Sequence, residues 1–202
     1  MKILLTGFDP FGGEKINPAF EAVKLVKDRI SGAEIVKLEI PTVIGKCDKI
    51  VAQAVREQHP DVLLSIGQAG GRADITVEQV AINIVDARIP DNEGNQPHDQ
   101  VIREDGPAAY FATIPVRSIV ERMKSYEVPA SISYTAGTYV CNFIMYCNLY
   151  LAAKEYPTMK SGFIHVPFST SQALNKPTPV PSMSMDTMVK AIEAAIEAIV
   201  EA

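Results

Sequence analysis

The chain has 202 residues, of which 47% are hydrophobic and 21% are charged, an ordinary globular composition that argues against disordered and fibrous classes. Its formal net charge is −5 and its Lys and Arg residues do not cluster, so we expect no nucleic-acid partner. The length suits one α/β domain, and a single domain is predicted over residues 1–202.

The amino terminus and the cysteine content predict a cytoplasmic protein. The opening apolar run ends at Gly7, too early for a signal peptide, and no segment reaches the roughly 20 apolar residues that span a membrane. Three cysteines without a C-x-x-C pair are typical of free thiols in a reducing compartment. Because the three histidines are also scattered, we expect no metal site and no cofactor.

Strand and helix patterns alternate in the first part of the chain. An N-cap followed by Pro, Asn17-Pro18, predicts where the first helix begins. The run at 61–66 is continuously apolar, as in a strand buried on both faces. The predicted elements are, in order, a strand at 2–6, a helix from 18, a strand at 33–41, a helix at about 46–58 and a strand at 61–66.

Residues 75–84 (ITVEQVAINI) are predicted to form one longer strand. On a regular strand Glu78 shares a face with three apolar residues, so its carboxylate would need a partner. The alternative is a bulge near Gln79 that turns Glu78 to solvent, and both interpretations remain open. Residues 86–107 then form a polar loop whose length is typical of a lid or an interface.

The same alternation continues to the end of the chain. The predicted elements are a helix at 115–126, a strand at 130–134, a helix at 141–155, a strand at 162–166, a Pro-rich segment at 167–182 and a helix from 185. Strands that alternate with helices predict an α/β fold with a mainly parallel sheet covered on both faces. The segment 167–182 is a second candidate for a lid or an interface.

Ligands of such sheets bind outside the carboxyl ends of the strands. The segments there contain one thiol, Cys141, and one imidazole, His165, which is the expected form of a thiol nucleophile with its base. Cys141 also lies where a turn enters a helix, so the helix dipole is expected to lower the thiol pKa. The unpaired amides of that first turn would bind an oxyanion.

Each candidate has a structural alternative. Cys141 could be a small buried hydrophobe, and His165 could be a histidine satisfied within the core. Cys47 and Cys147 lie within helical stretches and are interpreted as structural. If Glu78 faces inward, an imidazolium is a suitable partner, because a carboxylate fixes the histidine tautomer and stabilises its charged form.

The glycine loops raise another class of function, a nucleotide- or nucleoside-binding α/β module with an incidental thiol. Gly7 and Gly12 have the spacing of a P-loop, but Gly13 and Glu14 stand where Lys and Ser or Thr are required. Neither glycine loop contains the dinucleotide-binding pattern. The first loop does carry two phenylalanines that could hold a flat, uncharged ligand.

Seven segments between residues 3 and 186 together carry a family resemblance. They are LLTGFDPFGG with Asn17-Pro18, SIGQAGGR, ITVEQVAIN, DARIPDNEGNQP, AGTYVCN, GFIHVP and KPTPVPSMSMD. In this order they resemble the pyrrolidone carboxyl peptidases, or pyroglutamyl peptidase I family, cysteine exopeptidases that hydrolyse the bond after an N-terminal pyroglutamyl residue. The resemblance implies a single-domain α/β/α sandwich with a central, mainly parallel twisted sheet.

The resemblance also implies site residues and an assembly. It places a Cys-His-Glu triad on Cys141, His165 and Glu78, with a thioester intermediate on Cys141. It implies a substrate pocket lined by Phe8, Phe11, Asn17, Gln68, Tyr139 and Val140. The family is cytosolic, free of metal and commonly tetrameric, so a homotetramer is expected. One departure is Gln79, because the family usually has Arg after the glutamate.

Overall fold

The computed structural model describes all 202 residues and is organised around a seven-stranded sheet. The strands are β1 (Lys2–Phe8), β2 (Arg29–Ile30), β3 (Ala33–Ile40), β4 (Val62–Gln68), β5 (Ile75–Glu78), β6 (Val80–Ile82), β7 (Ala109–Phe111), β8 (Ala130–Ser133), β9 (Lys160–Val166), β10 (Phe168–Ser169) and β11 (Ser182–Met183). The helices are α1 (Pro18–Leu25), α2 (Cys47–Gln58), α3 (Val116–Ser125), α4 (Val140–Glu155), α5 (Thr170–Ala173) and α6 (Met185–Val200).

The strand order in the main sheet is β2-β3-β1-β4-β9-β5-β8. β3, β1, β4 and β9 are parallel to one another, whereas β2 is antiparallel to β3, and β5 is antiparallel to β9 and parallel to β8. The predicted α/β class with a mainly parallel sheet is confirmed. The carboxyl ends of β1, β4 and β9 therefore meet at one edge of the sheet.

Helices cover both faces of this sheet and enclose two apolar layers. One layer packs under α1, α3 and α6, and the other under α2 and α4. The two layers arise because side chains alternate between the two faces of each strand. In β1, for example, Ile3 and Leu5 lie in the first layer and Leu4 and Phe8 in the second. Strands buried on both faces need apolar residues at successive positions, which explains the continuous apolar runs in the sequence. None of the six helices is long and apolar enough to cross a membrane.

The predicted single strand over 75–84 is wrong. The chain leaves the main sheet after Glu78, and β6 pairs with β7 in a separate two-stranded sheet. Gln79 marks the change of partner, since its N–H donates to Ser133 O (2.7 Å) and its carbonyl accepts from Ala112 N–H (2.9 Å). Glu78 nevertheless does not turn to solvent, because its side chain is fully buried.

A second difference concerns the segment before Cys141. The sequence places 135–141 beyond the carboxyl end of a strand at the ligand edge, but β8 runs opposite to β9. The chain must therefore turn back after Ser133 to reach the edge where α4 begins. The short elements β2, β7, β10, α5 and β11 have no counterpart among the predicted elements, since two to four residues are too few to show a period.

Candidate active site

Cys141 is the second residue of α4 and lies at the ligand edge of the sheet. Its backbone N–H therefore belongs to the first helical turn, whose amides have no partner within the helix. Asn142 fixes this end of the helix, because its side chain accepts from Ile82 N–H (3.0 Å) and donates to the carbonyls of Ile82 (2.9 Å) and Ile84 (3.0 Å). The start of α4 is thereby tied to the strand that follows Gln79.

Gly67 in β4 makes room for the thiol. A Cβ atom at this position would lie 3.0 Å from Cys141 Sγ and 2.7 Å from the Phe163 ring, closer than side chains tolerate. Gly67 is therefore required by the close approach of both the Phe163 ring and the thiol to β4.

Replacing Gly67 with alanine should displace the thiol and lower activity. A shift of about 1 Å in a reacting group costs about 100-fold in rate, and we expect a loss of that order in kcat/KM for Gly67→Ala. Circular dichroism would show whether the variant keeps its fold. A folded Gly67→Ala protein with the activity of the wild type would contradict this role.

His165 and Glu78 meet across the antiparallel pair formed by β9 and β5. Thr76 lies opposite His165 in the register, so Glu78, two residues further along β5, is a diagonal neighbour on the same face. His165 Nδ1 lies 2.7 Å from Glu78 Oε1, and both side chains are buried. Because the carboxylate holds the proton on Nδ1, Nε2 is left as the basic nitrogen of the ring.

Arg72 completes this buried network. Its Nη1 donates to Glu78 Oε1 (2.7 Å) and to Thr76 Oγ1, and its Nη2 donates to the carbonyl of Thr135 (3.1 Å). Arg72 belongs to no motif that indicates its role, although a cation directly after a glycine turn at the ligand edge was a usable signal. Arg72 therefore supplies the positive charge that a fully buried carboxylate requires.

Burial and these contacts shift the pKa values of the three groups. Burial acts to raise the pKa of Glu78, but the hydrogen bonds with His165 and Arg72 hold it below its ordinary value. Burial lowers the pKa of His165 more strongly than the attraction of Glu78 raises it. Burial, with repulsion from Glu78, raises the pKa of the Cys141 thiol to about 12, although Arg72 opposes the shift.

The direction of the Cys141 shift is opposite to the one expected from the helix dipole. Cys141 is half-buried, and both removal from water and repulsion from the Glu78 charge disfavour its thiolate form. At neutral pH the arrangement therefore holds a neutral thiol, a neutral imidazole and an ionised carboxylate. A neutral thiol can act as a nucleophile only when a base takes its proton.

The pH dependence of activity should follow the neutral imidazole. The pKa of His165 lies below its ordinary 6.5, so kcat/KM should hold at pH 6.5 and fall as the pH drops through the lower value. Glu78 stays ionised in this window because its pKa is also lowered. Because the Glu78 charge raises the pKa of His165, Glu78→Gln should move the midpoint of the pH profile of kcat/KM to a lower pH. A wild-type midpoint at or above 6.5 would contradict the account.

The lowered pKa of His165 also makes the stability of the fold depend on pH. Below pH 6.5 the unfolded histidine binds a proton that folded His165 still excludes, so the free energy of unfolding should decrease until the folded ring is protonated as well. Urea unfolding measured across this pH range would show the decrease.

Two adjoining cavities meet at Cys141. The inner one, of about 50 Å³, is lined by eight residues, including the six that the family resemblance implied for a substrate pocket. These residues are Phe8, Phe11, Asn17, Thr42, Gln68, Tyr139, Val140 and Cys141. Thr42 was missed, because it follows β3 in a loop with no motif. The outer cavity is a cleft of about 450 Å³ whose lining includes Cys141 and His165.

The polar groups of the inner cavity differ in availability. Both ends of the Asn17 amide are used by the backbone, since Oδ1 accepts from Ala19 N–H (3.1 Å) as the α1 N-cap and Nδ2 donates to Asp9 O (2.9 Å). Gln68 Oε1 accepts from Gln172 Nε2 (3.0 Å), which leaves the amide nitrogen of Gln68 without a protein acceptor. The amide nitrogen of Gln68 is therefore free to donate to a ligand, whereas the Asn17 amide is held by the backbone at both of its ends.

Comparison with known proteins decides the family. The family model described as pyroglutamyl peptidase matches residues 1–202. The chain belongs to the pyroglutamyl peptidase family. Its relatives include pyrrolidone-carboxylate peptidases of Finegoldia magna and Treponema denticola, each 58% identical over 100% of this chain and 94% of the relative.

Solved structures agree with this assignment. Pyroglutamyl peptidase I of Bacillus amyloliquefaciens superposes with a TM-score of 0.95 at 45% identity, covering 100% of this chain and 97% of that chain. A mutant pyrrolidone carboxyl peptidase of Pyrococcus furiosus gives a TM-score of 0.96 at 40% identity, covering 100% and 99%. The expected membership of this family of cysteine peptidases is confirmed, as is the fold that the resemblance implied.

Proposed function

We propose that the chain hydrolyses the bond after an N-terminal pyroglutamyl residue through a thioester on Cys141. The observation that carries the proposal is the position of this thiol. Cys141 lies between a small uncharged cavity and an open cleft, beside the buried His165–Glu78 pair. A substrate ring in the inner cavity would present its carbonyl to the sulfur, and the rest of the peptide would leave through the cleft.

The inner cavity suits the pyroglutamyl ring. Pyroglutamate is a compact lactam without charge, and none of the eight residues that line the cavity is charged. Phe8 and Phe11 supply aromatic walls, and the free amide nitrogen of Gln68 can donate to the lactam carbonyl. A site that pairs a polar group of its substrate discriminates well against an analogue that lacks the group, which here is proline.

The chemistry follows from the neutral thiol and neutral imidazole. His165 Nε2 takes the proton of Cys141 as the sulfur attacks the carbonyl carbon, and first-turn amides of α4 receive the negative oxygen. The C–N bond then breaks as His165 returns the proton to the leaving amine, which forms the thioester. Water, deprotonated by His165, attacks the thioester and releases pyroglutamate, and the thiol regains its proton. Glu78 keeps the imidazole in the required tautomer throughout.

The nucleotide-binding alternative has no comparable support. Glu14, which stands at the Ser or Thr position of a P-loop, forms an ion pair with Lys176. Helix α1 does not continue the glycine loop directly but begins at Pro18.

We further propose a single-domain, cytoplasmic homo-oligomer, as the family resemblance implies, with a tetramer as the expected state. Large apolar side chains at the surface support the assembly, since Phe111 and Tyr134 are each 68% exposed and Leu174 is 85% exposed. The three free cysteines are compatible with a reducing compartment. Light scattering of the purified protein would measure the oligomeric state.

The activity is tested most simply with a pyroglutamyl arylamide. The reduced protein should release the arylamine, should lose this activity when Cys141 is alkylated, and should not cleave the matching prolyl arylamide. A protein that turns over no pyroglutamyl substrate and is thermally stabilised by nucleotides but not by pyroglutamate would overturn the proposal.

A further inference from the structure

The outer cleft is lined by more cationic than anionic side chains, in contrast to the chain as a whole. Arg72, Arg88 and Lys176 line it together with one carboxylate, Glu14, although the chain as a whole has a net charge of −5. Two of the three cations have counter-ions, because Arg72 is paired with Glu78 (2.7 Å) and Lys176 with Glu14. The Arg88 guanidinium makes no hydrogen bond or ion pair within the chain, so the cleft carries one uncompensated positive charge.

The backbone at Arg88 is held in place although its side chain is exposed. Ala87, which is fully buried, donates its N–H to Pro97 O (2.8 Å), and the carbonyl of Arg88 accepts from Gln96 Nε2 (3.2 Å). On the other side, the carbonyl of Pro90 accepts from the Tyr139 hydroxyl (3.1 Å). Tyr139 is the N-cap residue of α4, two positions before Cys141. The backbone of Arg88 is therefore held in a fixed position relative to the thiol, and only its side chain is free to move.

We propose that Arg88 forms a subsite for a carboxylate of the leaving peptide. The inference rests on the proposed function, because a pyroglutamyl ring in the inner cavity forces the rest of the substrate into the outer cleft. A planar guanidinium with free N–H groups is suited to a carboxylate, which it can bind through two parallel hydrogen bonds. The carboxylate can belong to an acidic side chain after pyroglutamate or to the free C-terminus of a short pyroglutamyl peptide.

The substrates that test this subsite differ only in charge. Pyroglutamyl-glutamate amide and pyroglutamyl-glutamine amide have the same shape, and so do pyroglutamyl-glutamine with and without its terminal amide. The first pair reports on a side-chain carboxylate and the second on a terminal one. For an exposed charge pair we expect kcat/KM to favour the charged member of at least one pair by about 3- to 10-fold. The preference should decrease with added salt.

Variants at Arg88 then assign the preference. Arg88→Gln should bring the ratio close to one, and Arg88→Lys should retain part of it. Arg117→Gln is the matched control, because Arg117 is an exposed arginine on α3 that does not line the cleft. The ratio is the readout because it is independent of any general change in activity that the substitution causes.

The outcomes separate the two proposals. Equal rates for charged and neutral members of both pairs in the wild type would overturn the subsite but leave the proposed function standing. A preference that survives in Arg88→Gln would also overturn it. If none of the pyroglutamyl peptides is cleaved, the proposed function fails and the subsite with it.

Discussion

Replacing Cys141 with alanine should reduce the turnover of a pyroglutamyl arylamide by roughly 10⁶-fold, as the loss of the nucleophile does in another covalent hydrolase. No other thiol can substitute for it. Cys47 in α2 and Cys147 in α4 are buried in the apolar layer that these helices cover. Burial raises the pKa of each thiol above its ordinary value. The effect should appear in kcat, because the inner cavity that binds the ring remains.

Cys147→Ala is the matched control for this substitution. It removes a sulfur from the same helix, where Cys147 accepts a weak hydrogen bond from Arg103 Nη2 (3.7 Å), away from the two adjoining cavities. We expect Cys147→Ala to lose about 1–2 kcal/mol of unfolding free energy and to keep its activity. Substantial activity in a folded Cys141→Ala protein would contradict the mechanism.

Replacing Glu78 with glutamine should lower kcat by about 10³- to 10⁴-fold with little change in KM, because the wrong histidine tautomer is then stabilised. The substitution keeps the shape of the side chain but removes the charge that His165 Nδ1 and Arg72 both contact. It also leaves the Arg72 guanidinium without its counter-ion, so the unfolding free energy should fall by about 1–3 kcal/mol.

A double variant separates these two effects. In Glu78→Gln with Arg72→Gln, the uncompensated charge is gone, so much of the lost stability should return. Activity should not return, because the imidazole still lacks its carboxylate. If kcat recovers together with stability, Glu78 acts only through folding and its assignment to the mechanism is wrong.

The sequence was sufficient to predict the main elements and the regions of the site. Apolar runs that end in glycine marked β1 and β4, and the Asn17-Pro18 signal marked the start of α1, whose N-cap is Asn17. These are local signals, because a strand buried on both faces and a capped helix each have a pattern of their own. The segments that follow β1, β4 and β9 do lie at the edge of the sheet where the cavities open.

What the sequence did not predict depends on contacts between distant segments. ITVEQVAINI keeps one alternating pattern although it spans two sheets, because the change of partner at Gln79 is made by Ser133 and Ala112. The antiparallel insertion of β5 beside β9 brings Glu78 to His165, and no pattern within either strand indicates that pairing. The direction of the Cys141 pKa shift was also missed, because burial and a neighbouring carboxylate are tertiary properties.

The most direct measurement of the central claim is the mass of the enzyme during turnover. The wild-type protein is mixed with a pyroglutamyl ester, quenched with acid within the first turnovers, digested and analysed by mass spectrometry. The account predicts one pyroglutamyl group on the peptide that contains Cys141, and none on the peptides that contain Cys47 or Cys147. An enzyme that turns the ester over without acylating Cys141 under any quench time, or that carries the acyl group elsewhere, would contradict it.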